Sequence, residues 1–277
     1  MANLVRSLAY APTSNLLLGL TRPATRAVLF PQLELIELPL GATLYDEKAE
    51  QNFVYFPSSG IVSLLYTMRN GNSAEMAIVG SEGLAGFAAL LGGLSTTTRA
   101  VIQVSGQGFR LKRRVLEKIM DADSQFRRLM LRYAQSLLTQ FAQTAVCNRH
   151  HSVEQQWCRW ILMTLDRGSS CEIKMTQQLI ADMLGVRREA VSAVANSLKS
   201  EGMVNYSRGV IEVLDRARME ERVCECYSLI VDETERLLPG SSKRHAGRER
   251  PRASAKPNTS HHDIEDSEPV LEAGSLQ

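Results

Sequence analysis

Five residues in the C-terminal half, Arg187, Arg188, Glu189, Ser192 and Asn196, have the side-chain types that read nucleic-acid base edges. Arg presents a fork to guanine O6 and N7, Glu accepts from cytosine N4, and Ser and Asn can hydrogen-bond base edges. Any solvated helix is also polar, so residue type alone is weak; the spacing around these residues says more. In Met175–Lys199, Thr176 is suited to cap a helix, and Leu179, Ile180, Met183 and Leu184 form one apolar face of it. Gly185 permits the positive φ of a tight turn and Val186 plugs that turn. Val191, Val194 and Leu198 then form the inner face of a second helix, and Ala181 is small where the two helices must cross. This spacing predicts a helix-turn-helix whose second helix turns the five polar residues outward. Thr176, Gln177 and Lys199 flank that face and complete the candidate DNA-contacting set on the two helices. Gly202 ends the second helix. Met203-Val204-Asn205-Tyr206 and Val210-Ile211-Glu212-Val213 then read as two short strands, and Ser207-Arg208-Gly209 turns between them. Arg208 stands at the tip of that hairpin, where it could reach a phosphate.

Such a module has to be held by what precedes it. Residues 1–30 read as a helical lead-in, with Ser14 as the cap of a short Leu-rich turn ending at Gly19. From 31 to 114 the pattern is short strands separated by turns. Leu33–Leu40, Phe53–Phe56, Ile61–Met68, Ala74–Val79 and Ala100–Val104 alternate or run apolar. Arg69-Asn70-Gly71 signals a hairpin, and Gly106-Gln107-Gly108 reads as a further turn. That spacing suggests a small antiparallel barrel or jelly roll. From 115 to 150 the period becomes helical, with a break expected at Asp121–Ser124. Phe126, Met130, Tyr133, Leu137 and Phe141 form an apolar seam. The seam can meet either the helix's own barrel or a second copy of the helix. The polar residues around it, Arg128, Arg132, Gln135, Gln140 and Gln143, leave it narrow and favour a dimer. Residues 151–238 hold the winged motif and a trailing helix over Arg216–Leu238. After Pro239 apolar content collapses. Lys243–Lys256 has six basic residues and one acidic, and Asp263–Glu272 has five acidic and none basic, which predicts a disordered tail over 239–277.

Barrel, long helix and winged motif in this order resemble the CRP/FNR family of transcription regulators, over roughly residues 15–235 and most specifically over Met175–Val213. The resemblance implies an α+β fold: an N-terminal antiparallel β-barrel (jelly roll, cyclic-nucleotide-binding-like), a long dimerisation helix and a C-terminal winged helix-turn-helix. It implies a homodimer that binds double-stranded DNA sequence-specifically and controls transcription, with RNA polymerase a further candidate partner. Arg188 and Glu189 stand where that family reads bases. Five residues after Arg188, where activator-type members carry another Arg, this chain has Ala193, which implies a different operator. The family's cyclic-nucleotide members hold the ribose with a Glu that follows a Gly and the phosphate with an Arg. Here Gly86-Phe87 occupies the first place, and Arg99 is the candidate for the second. The effector stays unknown. Oxygen-sensing members ligate an iron–sulfur cluster through N-terminal cysteines, but the first cysteine here is Cys147, and no barrel histidine is present to hold haem. No cofactor is expected.

The remaining signals are weaker. The formal net charge is only +2, so whole-chain charge points to no partner, but its distribution is uneven. Arg110–Trp160 holds ten Lys/Arg against four Asp/Glu, and Pro31–Ala100 three against seven. No apolar run approaches the ~18–20 residues of a membrane helix. No signal-peptide pattern is visible, and the five cysteines are an odd count, so a cytoplasmic protein without membrane association is expected. Cys147, His150 and His151 lie close together with Cys158 beyond, at spacings that fit no familiar zinc pattern, and read as a polar helix terminus. Cys224 and Cys226 would point to opposite sides of one helix, so no metal site is expected. A cupin-like enzyme is the remote alternative, but its metal chemistry needs inward histidines that the barrel lacks.

Overall fold

The computed structural model describes residues 11–168 and 172–241. The first ten residues of the lead-in and residues 242–277 of the tail lie outside the described residues; the first three tail residues are described, and there Ser241 is buried with its hydroxyl donating to Glu235 at 2.8 Å, so the start of the expected disorder is corrected to lie after it. Helix α1 (Leu16–Leu20) is capped by Asn15 rather than Ser14: the Asn15 side chain accepts from Leu18 N–H, and its amide donates to the Pro57 and Gly83 carbonyls at 2.9 and 2.7 Å. Asn15 is fully buried, so one side chain caps the helix and ties it to two barrel segments. Helix α2 (Pro23–Leu29) starts on proline, whose missing N–H is no loss in a first turn.

Seven strands follow: β1 (Glu34–Leu38), β2 (Thr43–Tyr45), β3 (Phe53–Pro57), β4 (Ile61–Thr67), β5 (Ser73–Val79), β6 (Arg99–Val104) and β7 (Gly106–Lys112). They form two antiparallel sheets, in the orders β1-β7-β3 and β2-β6-β4-β5. Strand β2 has three residues, too few to show alternation. The stretch Gly106–Gly108, expected as a turn, is instead the start of β7: Gly106 pairs with Leu38, and Gly108 pairs with both Ile36 and Pro57. These glycines serve close approach. A Cβ on Gly106 would collide with the Ser59 carbonyl oxygen, and one on Gly108 would lie 2.7 Å from that of Phe56. Glycine in a strand often marks such an approach rather than a turn.

The long helical stretch breaks as expected, at Asp123, between α3 (Arg113–Ala122) and α4 (Ser124–His150). The Asp123 carboxylate caps α4 by accepting from Gln125 and Phe126 N–H, and it also binds Arg22 at 2.6 Å and the Thr25 hydroxyl. The 27 residues of α4 make it about 40 Å long.

Most of the apolar seam of α4 faces the chain's own barrel. Phe126, Met130, Tyr133 and Leu137 are buried in the chain's own core with Val54, Phe56, Leu64, Phe109 and Leu111 of the barrel. Phe141 is half-buried, edge-on to Phe87 with ring centres 5.5 Å apart. Tyr133 donates from its hydroxyl to the Leu84 carbonyl at 2.7 Å. The dimer assignment of Phe126, Met130, Tyr133 and Leu137 is therefore corrected, since the barrel leaves them almost no surface for a partner, whereas Phe141 keeps part of its surface; spacing shows that a face is apolar but not what it meets. Gln140, expected on the polar face, is also buried. Its amide accepts from Ile78 N–H at 3.0 Å and donates to the Ile78 carbonyl at 3.1 Å, so it satisfies backbone groups of the edge strand β5. The apolar residues that α4 leaves exposed are Leu131, Leu138 and Val146, with Ala142 and Ala145 alongside.

The C-terminal half comprises α5 (Val153–Arg167), β8 (Glu172–Lys174), α6 (Gln177–Leu184), α7 (Arg188–Ser200), β9 (Val204–Ser207), β10 (Val210–Val213), α8 (Arg216–Arg222) and α9 (Cys226–Leu237). A capping box between Ser152 and Gln155 starts α5. The trailing helix expected over Arg216–Leu238 is two helices, parted at the extended Val223. Trp157, Ile161, Ile180, Ala181, Val191, Leu198, Met203, Ile211 and Met219 form one core, which Leu65 of β4 joins. Two polar links fasten this half to the barrel. Trp160 Nε1 and Ser63 Oγ donate to the two oxygens of Glu75, at 2.8 and 2.5 Å. Burial pushes the Glu75 carboxyl up to about 7, although these hydrogen bonds and the charges of Arg159 and Arg167 favour its ionised form. The second link is the buried pair Arg167–Glu82 at 2.7 Å. No helix among the described residues is long and apolar enough to cross a membrane.

Candidate nucleic-acid interface

The helix-turn-helix forms as its residues require. Thr176 caps α6, its hydroxyl accepting from Leu179 N–H at 3.2 Å. Gly185 takes φ +67°, and Val186 N–H returns to the Ala181 carbonyl at 3.0 Å, so the turn closes over the small Ala181. Helix α7 then starts at Arg188, with Arg187 in extended backbone before it. Arg187, Arg188, Glu189, Asn196 and Lys199 are exposed, while Val191, Ala195 and Leu198 face inward.

Ser192 is placed differently from the expectation. It is half-buried, and its hydroxyl lies 2.6 Å from Gln177 Oε1 and 3.0 Å from the Arg188 carbonyl. It joins α7 to α6, and Gln177 is its partner. Lys199 Nζ donates to the Tyr206 carbonyl at 3.2 Å, and the Tyr206 hydroxyl donates to the Met175 carbonyl at 2.8 Å. Lys199 and Tyr206 thus set the wing against the two helices.

Strands β9 and β10 join β8 in a small sheet of order β8-β10-β9. Arg208 and Gly209 have φ values of +50° and +77°, the primed type of tight turn that matches strand twist. Arg208 is exposed at this tip. Thr176, Gln177, Gln178, Arg188, Tyr206, Ser207, Arg208 and Gly209 line an open groove of about 490 Å³ between α6, α7 and the wing. The lining carries two guanidinium groups and no carboxylate. Burial raises the pKa of the Tyr206 hydroxyl, and the Arg188 charge works against that rise. Gln178, Tyr206 and Ser207 were missing from the sequence-derived set. For Tyr206 the available signal was its in-out position on a wing strand.

The barrel residues considered for an effector have other partners. Arg99 is exposed and held by Asp46 at 3.1 Å and the Thr43 hydroxyl at 2.8 Å. Ala100 beside it is fully buried, so Arg99 faces outward from β6. Phe87 opens a short 3-10 turn, Phe87–Leu91, and rests on Phe141. At the C-terminal end of α4, Cys147, His151, Cys224 and Cys226 meet, although the sequence reading kept Cys224 and Cys226 apart; His150 is exposed.

Residues 35–123 match the cyclic nucleotide-binding domain and residues 155–222 the Crp-like helix-turn-helix domain. No curated protein sequence matches significantly. Among solved structures, FixK2 from Bradyrhizobium japonicum is similar with a TM-score of 0.59 at 19% identity, over 69% of this chain and 98% of that one. A transcriptional regulator of the crp/fnr family from Eubacterium rectale gives a TM-score of 0.59 at 16% identity, over 73% and 94%. CLP from Xanthomonas campestris, described as a c-di-GMP responsive global regulator, gives 0.57 at 13% identity, over 69% and 99%. At these identities the structures speak for the fold. The two domain matches, in this order along most of the described chain, make the functional assignment: the protein belongs to the CRP/FNR family and is a DNA-binding transcription regulator.

Proposed function

We propose that the protein acts as a homodimer that lays α7 of each copy in successive major grooves of its operator. In this reading residues 31–114 form the barrel, 115–150 the pairing element and 151–238 the DNA-binding part. The carrying observation is the carboxylate-free groove between Arg188 and Arg208, beside the exposed Arg187, Glu189 and Asn196. Arg187, Arg188, Glu189 and Asn196 read base edges, and Arg208 binds phosphate. Thr176 and Gln177 bind backbone at the entry of α6. Ser192 and Lys199 contribute by holding the groove's walls. The pairing face is the exposed row Leu131, Leu138, Ala142 and Val146, which returns at spacings of seven and four and so lines one side of α4.

The barrel is proposed to work without a cyclic nucleotide. A buried phosphate anion needs a charged partner, and a ribose hydroxyl needs an acceptor. Phe87 offers no acceptor, and the Arg99 guanidinium is spent on Asp46 outside the barrel. The barrel then serves as platform for the dimer and for RNA polymerase, and no catalytic role is assigned to it. Selection of bound sequences from random duplexes tests the proposal. The expected product is a symmetric site with half-sites about 34 Å apart, one helical turn. Recovery of unpaired or unrelated sequences would count against it.

A further inference from the structure

The joint between α4 and the DNA-binding half holds a cluster that no part of the DNA-binding account uses. Cys147 and His151 lie one turn apart at the C-terminal end of α4, and Cys224 and Cys226 flank Glu225 at the start of α9. Their ligand atoms all lie within 4.8 Å of one another. Cys147 Sγ is 3.6 Å from Cys224 Sγ, and Cys226 Sγ is 3.6 Å from His151 Nδ1. The three cysteines are at most 3% exposed. We propose that these four residues form a closed Cys3His site for a thiolate-preferring divalent cation, with zinc as its occupant.

The distances favour this occupant. Zinc binds sulfur at about 2.3 Å and imidazole nitrogen at about 2.0–2.1 Å, so a tetrahedron of such ligands has edges of roughly 3.5–3.8 Å. The two close separations match those edges. A disulfide would need about 2.05 Å between sulfurs. A multi-iron cluster would hold its cysteine sulfurs further apart than this compact set. The outer shell agrees: His151 Nε2 lies 3.4 Å from the Glu225 carboxylate. A carboxylate on the far ring nitrogen fixes the tautomer that leaves Nδ1 free to ligate. Binding would release the three thiol protons to solvent and leave a site of net charge −1.

The position gives the site a structural role. His151 immediately precedes Ser152, the N-cap of α5, so the ion would fasten the end of the long helix, the entry to the DNA-binding half and the start of α9 at one point. The sequence concealed this because Cys224 and Cys226 appeared to share one helix. Val223 is extended and α9 begins only at Cys226, so both thiols reach the same side.

The test uses the full-length protein purified with reductant and without chelator. Elemental analysis should find about one zinc per chain. Replacement by cobalt should give the visible bands of a tetrahedral ion with thiolate charge-transfer absorption. Cys226→Ser and His151→Ala should each weaken metal retention at least tenfold, while Cys158→Ser, at a buried cysteine outside the cluster, should keep the metal. If Cys226→Ser fails to fold, the cobalt spectrum of the unaltered protein decides. A reduced protein that takes up no zinc, a cobalt spectrum without thiolate bands, or a Cys147–Cys224 disulfide found by mass mapping in place of metal would each overturn the proposal. None of these readouts depends on DNA binding.

Discussion

Arg167→Ala is expected to destabilise the protein by about 3–5 kcal/mol, the usual cost of removing one partner of a buried ion pair. Arg167 and Glu82 are 7% and 6% exposed, so solvent offers the remaining carboxylate little relief. The guanidinium donates from Nε to Glu82 Oε1 at 2.7 Å and from Nη1 to the Met163 carbonyl at 3.2 Å, and the same Glu82 oxygen accepts from Gly80 N–H. Burial opposes the Arg167 charge, and the Glu82 carboxylate, together with Asp166 and Tyr133, more than restores it. Because α5 carries Arg167 and a barrel loop carries Glu82, the loss also loosens the DNA-binding half from the barrel. Thermal unfolding should fall by roughly 10 °C. The double change Arg167→Met with Glu82→Leu should recover most of that loss, since it removes both desolvation costs. A single variant that melts within about two degrees of the parent would show that the pair carries no such weight.

Leu131→Asp combined with Leu138→Asp is expected to give a folded monomer. Both side chains are about half exposed in the single chain, 44% and 50%, so aspartate costs the protomer little. In a two-fold pairing the same positions face their own copies, and four carboxylates would meet in an apolar strip. Light scattering at micromolar concentration should then show a monomer with an unchanged melting profile. Affinity for a paired site should fall by about a hundredfold or more, because the second half-site is no longer bound intramolecularly. Tyr133→Asp should behave in the opposite way. Tyr133 is 3% exposed and bonded to the Leu84 carbonyl, so the change should unfold the protein rather than split it. A double variant that stays dimeric, or a Tyr133→Asp protein that is folded and monomeric, would return pairing to the other face of α4.

The contrast between those faces shows where the sequence was legible. The helix-turn-helix could be read because its geometry constrains single positions: Gly185 must take a positive φ, Ala181 must be small and Thr176 must cap. The break before α4 was legible because Asp123 is a strong cap. The apolar face of α4 was visible, but burial depends on what lies opposite, and a 3–4 spacing is the same against a barrel as against a second helix. Gly106 and Gly108 misled because glycine marks both turns and close backbone approach. The cysteine cluster was hidden by the end of a helix at Val223, where neither Gly nor Pro announces it. In the groove, Arg188 and Arg208 were legible from position, whereas the bracing of Ser192 by Gln177 needed the two helices to be set side by side.

Helix α7 is expected to read sequence while the wing holds the backbone. The most direct measurement is the affinity of Arg188→Ala and Arg208→Ala proteins for the selected operator and for single-base variants of it, across salt concentrations. Arg188→Ala should lose about 1–3 kcal/mol on the operator and lose its preference at one base pair of each half-site. Arg208→Ala should weaken all sequences alike and reduce the salt slope by about one per chain. If Arg208→Ala altered base preference while Arg188→Ala left it intact, the assignment of reading to α7 would be contradicted.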